Sequence, residues 1–338
     1  MCSSDLVLRV PGAADHAELA ARLAKADLAT EMVRELTELQ GTMGGIYARE
    51  EGQPEAVWKA IGLHYLPIGV DVEAAPSRQT LGTAAVTWAA VALADKLDSV
   101  VGMFLVGERP TGSRDPLGLR RQAQGIVKIL VDLPHVVGIE VPIALGDLLQ
   151  KAGTPWTADA EAIDALQAFM RERVVYLFEQ RGFDVRTVRA VTQGDLARLD
   201  LVDTKRKLDA LSEMSGSEAL QGVATLFRRA KNITKNVAAE SLDAGTALRA
   251  ALTEPSELAL VEQLDARATA IRGASARGAY RDAFAAIAAL QPAVATFFDD
   301  VLVMAEDPTL RRARLALVAT LRDLILDIAD LSEIVTES

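Results

Sequence analysis

"LADKLDSVVGMFLVGERPTGSRDPLGLRRQAQGIVKIL", residues Leu93 to Leu130, decides the reading of the fold. An acidic helix end with Asp95 and Asp98 runs into a Gly-containing loop, and a second helix follows. Pro110, Gly112 and Ser113 are turn formers. Asp115 followed by Pro116 is a helix-start signal, because a carboxylate accepts from the free N–H groups of a first turn and proline leaves no donor there. The stretch reads as helix, loop, helix.

Working outward, the same grammar continues. Leu23, Leu28, Met32, Leu36, Leu39 and Met43 recur at mostly three- and four-residue steps, which predicts one helix from about Leu19 to Tyr47, ended or bent by "GTMGG". Further helices are expected at Pro54–His64, Leu81–Val100, Asp115–Leu130, Thr154–Gln180, Asp195–Met214 and Glu218–Asn236. A last group covers Pro255–Ser275, Ala279–Ala289, Pro292–Ala305 and Pro308–Ile334, where Leu315, Val318, Leu321, Ile325, Ile328 and Leu331 form an apolar stripe. Half of the 338 residues are hydrophobic and only 4% aromatic, with long Ala/Leu runs, so the fold class is mainly α and multi-domain. Chain breaks near Gly153 and Gly245–Pro255 divide it into residues 7–152, 153–244 and 245–338.

Several classes are set aside. A net charge of −11 argues against a generic nucleic-acid coat, and hence against a DNA-binding role, while leaving room for local basic patches. The single cysteine, Cys2, has no partner within the chain, no apolar run is long enough for a membrane span, and a reducing, cytoplasmic setting fits. "MCSSDL", Met1–Leu6, back-translates to the end of a common sequencing adapter and carries no function in this reading. No Walker-type loop, paired-Cys zinc spacing or Ser/His/Asp arrangement is present, so no catalytic residue and no metal ligand set is assigned.

The chemistry-bearing residues fall into two kinds. Asp27 and Asp95 stand where an HD-type phosphohydrolase would hold metal ligands, and "ALADKLD" resembles the last-Asp helix of that superfamily, but Ala26 occupies the place of the doublet's histidine. His64 reads as a partly buried packing residue. The basic residues are the other kind. Arg109, Thr111, Ser113 and Arg114 lie in a loop leading to a helix start, with Arg120 and Arg121 about a turn beyond, and such a loop either meets an anion or pairs its arginines with Asp95, Asp98 or Glu108. Arg228, Arg229, Lys231 and Asn232 form a second cluster; Arg311, Arg312 and Arg314 form a third at a helix head, against the helix dipole.

Taken in order, "KADLATEMVRELTELQGTMGGIYAREEG", "HYLP", the Leu93–Leu130 stretch, "RRAKNI" and "FFDDVLVMAEDPTLRRARLALVATLRDLILDIADLSEI" resemble the β subunit of bacterial tetrameric glycyl-tRNA synthetase over nearly the whole chain. The link "EAVWKAIGLHYLPIGVDVEAAPSRQTLG" is less regular than the family's. The resemblance implies a degenerate HD-type domain at the front, a DALR-like anticodon-binding bundle at the end, and a longer amino-terminal half than this chain contains. It further implies that glycine activation, with ATP and Mg2+, belongs to a separate α subunit, so that this chain binds no cofactor. The implied partners are tRNA(Gly) and that α subunit, with the three basic clusters flanking RNA. The readings that compete with it are an HD-type metal-dependent phosphohydrolase and a helical scaffold without RNA contact.

Overall fold

The computed structural model describes residues 12–69, 75–138, 140–156, 159–235 and 246–335. Met1–Leu6, Asn236 and Gly245, named in the sequence reading, lie outside the described residues. The regular elements of the described residues are all helices, with isolated bridges at Thr111–Arg114 and Ala144–Asp200 in place of any sheet. The chain divides into two compact units, residues 1–181 with 194–202, and residues 182–193 with 203–338. This division falls at neither of the breaks read near Gly153 and Gly245. No described helix is long and apolar enough to cross a membrane.

The first unit contains α1 (Ala13–Leu23), α2 (Glu31–Glu35), α3 (Thr42–Glu50), α4 (Glu55–Leu63), α5 (Arg78–Leu81), α6 (Ala85–Leu105), α7 (Leu119–Val137), α8 (Leu145–Gly153) and α9 (Ala160–Gln180). Its centre is α6, whose Ala-rich sequence lets α1, α4, α7 and α8 all pack against it. The buried indole of Trp88 donates to Leu63 O at 2.9 Å and pins α6 to the end of α4.

The single helix expected over 19–47 is broken into α1, a 3-10 turn at Ala26–Ala29, α2, a second turn at Thr37–Leu39, and α3. Polar groups make the breaks: the Thr30 hydroxyl caps α2, and the Asp27 carboxylate draws the backbone back by accepting from Gly41 and Gly44. Leu28, Met32 and Leu36, which read as a core stripe, are exposed. "GTMGG" opens α3 instead of ending a helix, with Gly41 taking the left-handed turn at φ 77°. Gly44 and Gly45 are inside α3, where its backbone meets α4 closely.

The second unit contains α10 (Val185–Thr192), most of α11 (Leu201–Met214), α12 (Glu218–Ile233), α13 (Thr246–Ala250), α14 (Pro255–Ala276), α15 (Tyr280–Ala288), α16 (Gln291–Asp300) and α17 (Pro308–Leu326). Here α12 packs on α15, α16 and α17, and α14 packs on α15 and α16. The Pro308 start was read correctly: Asp307 Oδ1 accepts from Thr309 N and Leu310 N. The end was not, because α17 stops at Leu326 and the stripe's last member, Leu331, lies in a 3-10 turn at Leu331–Ile334.

Candidate nucleic-acid interface

In the first unit Asp27 and Asp95 are both held by other groups of the chain. Asp27 is buried; its Oδ2 accepts from Gly41 N at 2.6 Å and Gly44 N at 3.1 Å, while Oδ1 has no partner. Asp95 receives Lys25 Nζ at 3.0 Å on Oδ1 and 3.2 Å on Oδ2. Lys25 also reaches the Tyr65 hydroxyl at 3.3 Å and lies 4.5 Å from the centre of its ring. Burial alone would lower the Lys25 pKa, but the charge and hydrogen bond of Asp95 outweigh it and hold the ammonium above its ordinary 10.5.

Two further buried bases complete this region. His64 is fully buried, more so than its sequence context suggested; Nδ1–H donates to Ile61 O at 2.7 Å and Nε2 has no partner. Burial pushes its pKa down. Lys96 donates to His64 O and Tyr65 O at 2.9 and 3.0 Å, and burial pulls it to about 8. Among the described residues no group of three or more His, Cys, Asp or Glu side chains is placed to hold a metal ion. Lys25 engages both oxygens of Asp95, and two backbone amides engage Oδ2 of Asp27, so both carboxylates are tied into a polar cluster of the chain's own groups.

The loop after α6 is tied to itself. Thr111 and Arg114 exchange backbone hydrogen bonds at 3.1 and 2.8 Å, and Arg120 donates to Gly112 O at 2.7 Å and Arg114 O at 3.5 Å. Arg109 faces Glu161 at 3.7 Å, not Asp95, Asp98 or Glu108. Asp115 does cap a helix, accepting from Leu119 N at 2.7 Å and Arg120 N at 3.0 Å, but it does so across a turn, so α7 opens at Leu119 and continues to Val137. Thr111, Ser113, Arg114 and Arg121 are exposed. Arg120 is thus a loop brace, and Arg114 and Arg121 are the guanidinium groups this loop offers to solvent.

The second unit spends most of its expected cations internally. Arg228 donates to Ser332 O and Val335 O, both at 3.2 Å, and Lys231 pairs with Asp330 and reaches Ser332 Oγ at 3.2 Å. Arg314 is buried, with Nε on Glu257 Oε1 at 2.6 Å and Nη1 on Leu302 O at 2.9 Å. Arg311 is half-buried and reaches Ala305 O at 3.4 Å. Each of the four makes contacts between helices and turns; Arg314 is buried, while Arg228, Lys231 and Arg311 stay partly exposed. Arg229, Asn232 and Arg312 are exposed, and the Arg229 guanidinium lies 4.5 Å from the centre of the Phe298 ring. Lys235, one turn beyond Lys231, is also exposed.

A family profile described as glycyl-tRNA synthetase beta subunit matches residues 3–193, more than half of the chain. The chain belongs to this family. A second profile, the DALR anticodon binding domain, matches residues 223–336 and therefore runs from within α12 through the final 3-10 turn. Among curated relatives, the glycine–tRNA ligase beta subunit of Aromatoleum aromaticum is 40% identical over 326 residues, which is 96% of this chain and 45% of that protein. Those of Acidobacterium capsulatum and Anaeromyxobacter dehalogenans are each 39% identical, covering 94% of this chain and 44% of theirs. The chain spans about half the length of the curated relatives it matches. The sequence signal for this cluster is a pair of lysines beside the two carboxylates: Lys25 precedes Ala26-Asp27 and Lys96 follows Asp95.

Proposed function

We propose that this chain is the tRNA-docking portion of a glycine–tRNA ligase β subunit, and that it supports ATP-dependent attachment of glycine to tRNA(Gly). In this reading the first unit carries a degenerate HD core with a structural role, and the second carries the anticodon-binding bundle. Adenylate chemistry, with ATP and Mg2+, resides on a separate α subunit in the cytoplasm. The observation that carries the reading is the DALR match across residues 223–336, behind a β-subunit match across residues 3–193.

Physical chemistry supports a docking role for few, local cations. An acidic chain attracts a folded polyanion only through patches, and such contacts position phosphates while exposed loop bases are read separately. Arg114 and Arg121 in the first unit, and Arg229, Arg312 and Lys235 in the second, are exposed. The test is a tRNA(Gly) titration over a range of salt concentrations, with a non-cognate tRNA alongside. The chain should bind tRNA(Gly) with a negative slope of log K on log salt, and Arg114→Glu with Arg121→Glu should flatten that slope by about one for each phosphate that the variant no longer neutralises. Absence of tRNA binding, or equal affinity and slope in the charge-reversed variant, would refute the respective parts of the reading.

A further inference from the structure

In the first unit α8 and α9 both pack on α6, and a cavity of about 520 Å3 lies among the three helices. That volume falls in the range of about 300–1,000 Å3 typical of small-molecule sites. Val101, Leu149 and Leu166 give the cavity buried aliphatic walls. Trp156 adds an exposed indole whose place is set locally: Trp156 N donates to Gly153 O at 2.9 Å, and the lack of a Cβ on Gly102 lets the ring rest on α6, since a Cβ there would lie 2.9 Å from Cζ2. Gly153, the last residue of α8, also lines the cavity, and a Cβ on it would meet nothing nearer than 3.8 Å. Its φ is not in the left-handed region, so a larger side chain can stand there without backbone strain.

The lining selects the chemistry of a ligand. Among the described residues no charged side chain lines the cavity, which disfavours a phosphate, a carboxylate or an ammonium group inside it. The polar side chains on the wall include the carboxamides of Gln150 and Gln167, both exposed and neither hydrogen-bonded within the described residues. Each carboxamide offers N–H donors and a carbonyl acceptor side by side. A neutral ring with flat apolar faces and a donor next to an acceptor on its edge satisfies both the walls and the amides. Adenine is such a ring: a glutamine side chain takes its N6 amino group and N7 together, and its faces stack on aromatic side chains.

Independently of the tRNA-docking reading, we infer that this cavity of the first unit binds an adenine base, carried by a free nucleoside or by an unstacked residue of an RNA strand. The base lies between the aliphatic walls and the Trp156 indole, the Gln150 and Gln167 carboxamides meet its hydrogen-bonding edge, and the ribose and any phosphate stay at the mouth.

The test uses the full chain, with adenosine and uridine as free probes and oligoadenylate and oligouridylate of equal length as strand probes, followed by tryptophan fluorescence and calorimetry. Wild type should bind an adenine probe saturably and prefer it to its uracil counterpart at least about tenfold, the discrimination that paired carboxamide contacts give. Binding of adenosine identifies the free nucleoside as sufficient; binding of oligoadenylate alone identifies a base held in a strand. Gly153→Leu, which fills the cavity, should abolish the binding. Gln150→Leu with Gln167→Leu, which changes two exposed side chains, should erase the preference for adenine. Retained urea midpoints check that both variants fold. Binding of neither adenine probe, equal binding of adenine and uracil probes, or undiminished binding by Gly153→Leu overturns the assignment. So does loss of α-subunit capture in Gly153→Leu when wild type binds neither adenine probe, which marks a protein-docking pocket. The tRNA(Gly) titration over salt is read separately, so the docking reading stands or falls on its own.

Discussion

Arg314 Nε meets Glu257 Oε1 at 2.6 Å inside the second unit, and the other oxygen of Glu257 accepts from Thr253 N and Glu254 N at 2.8 and 3.0 Å. One buried carboxylate thereby closes the start of α14 and holds the start of α17. Through Arg314 it also fixes the carbonyl of Leu302. The pair is a structural joint of the bundle, and a guanidinium group used this way is not open to RNA.

Removing Arg314 should therefore cost stability first. Arg314→Ala leaves the carboxylate of Glu257 buried and half-satisfied, a destabilisation of about 3–5 kcal/mol. Arg314→Met with Glu257→Gln removes both charges while keeping an acceptor for the α14 cap, and should recover much of that stability. Hydrogen exchange of the α14 and α17 amides measures both. Equal protection in Arg314→Ala and wild type would show that the pair contributes nothing.

What the sequence made legible follows from which forces are local. Helix starts at Asp159, Ser217 and Asp307 are made by side chains that reach only two or three residues ahead, so the chain announces them, whereas the Val185–Thr192 helix, capped in the same way by Asp184, is absent from the sequence reading. Where long-range polar contacts decide, the pattern misled. Leu28, Met32 and Leu36 keep helical spacing, but the Asp27 carboxylate folds the chain back on Gly41 and Gly44 and leaves all three exposed. The pairings of the basic clusters were hidden for the same reason: Lys231 pairs with Asp330, 99 residues away, and Arg314 with Glu257, 57 residues away. The exposure of Leu302 and Met304 carried no signal beyond two apolar residues in an apolar run, because the backbone there is held by Arg311 and Arg314 of the next helix.

The crossing of α3 and α4 gives a prediction from two glycines that face each other unequally. A Cβ on Gly45 would lie 2.8 Å from Gly62 Cα and 2.9 Å from Trp58 O, both backbone atoms that cannot swing aside. A Cβ on Gly62 would meet nothing nearer than 3.7 Å. Gly45→Ala should destabilise the first unit by about 1–3 kcal/mol through overpacking. Gly62→Ala should be neutral or stabilising by up to about 1 kcal/mol, since alanine favours a helix. Trp58, Trp88 and Trp156 are the chain's three tryptophans and all lie in this unit, so urea unfolding followed by tryptophan fluorescence reports it selectively. Equal effects of the two substitutions would contradict the asymmetric contact.

Asp115 supplies a third expectation. Its two oxygens satisfy the N–H groups of Leu119 and Arg120, and Asp115→Ala should cost about 0.5–2 kcal/mol by removing that cap. Asp115→Asn, which keeps one acceptor, should be less damaging. The same fluorescence-detected unfolding checks the order, and a variant series in which asparagine is as damaging as alanine would place the effect elsewhere than in the cap.

His64 should make the first unit lose stability in acid. Its Nδ1–H is committed to Ile61 O, so the unprotonated Nε2 is the buried atom without a partner, and a proton placed there would meet no acceptor. Burial accordingly holds the folded-state pKa below the ordinary 6.5. Well above 6.5 the imidazole is neutral in both states and contributes no pH dependence. As pH falls below that value the unfolded chain takes up a proton that the folded unit refuses, so stability declines until the folded-state pKa is reached. His64→Asn can keep a donor toward Ile61 O but does not titrate. It should be less stable than wild type at pH values above the histidine range, through poorer packing, and the gap should narrow steadily on acidification. Urea midpoints read by tryptophan fluorescence across this range decide the matter; parallel pH profiles for the two proteins would mean that His64 takes up its proton as readily folded as unfolded.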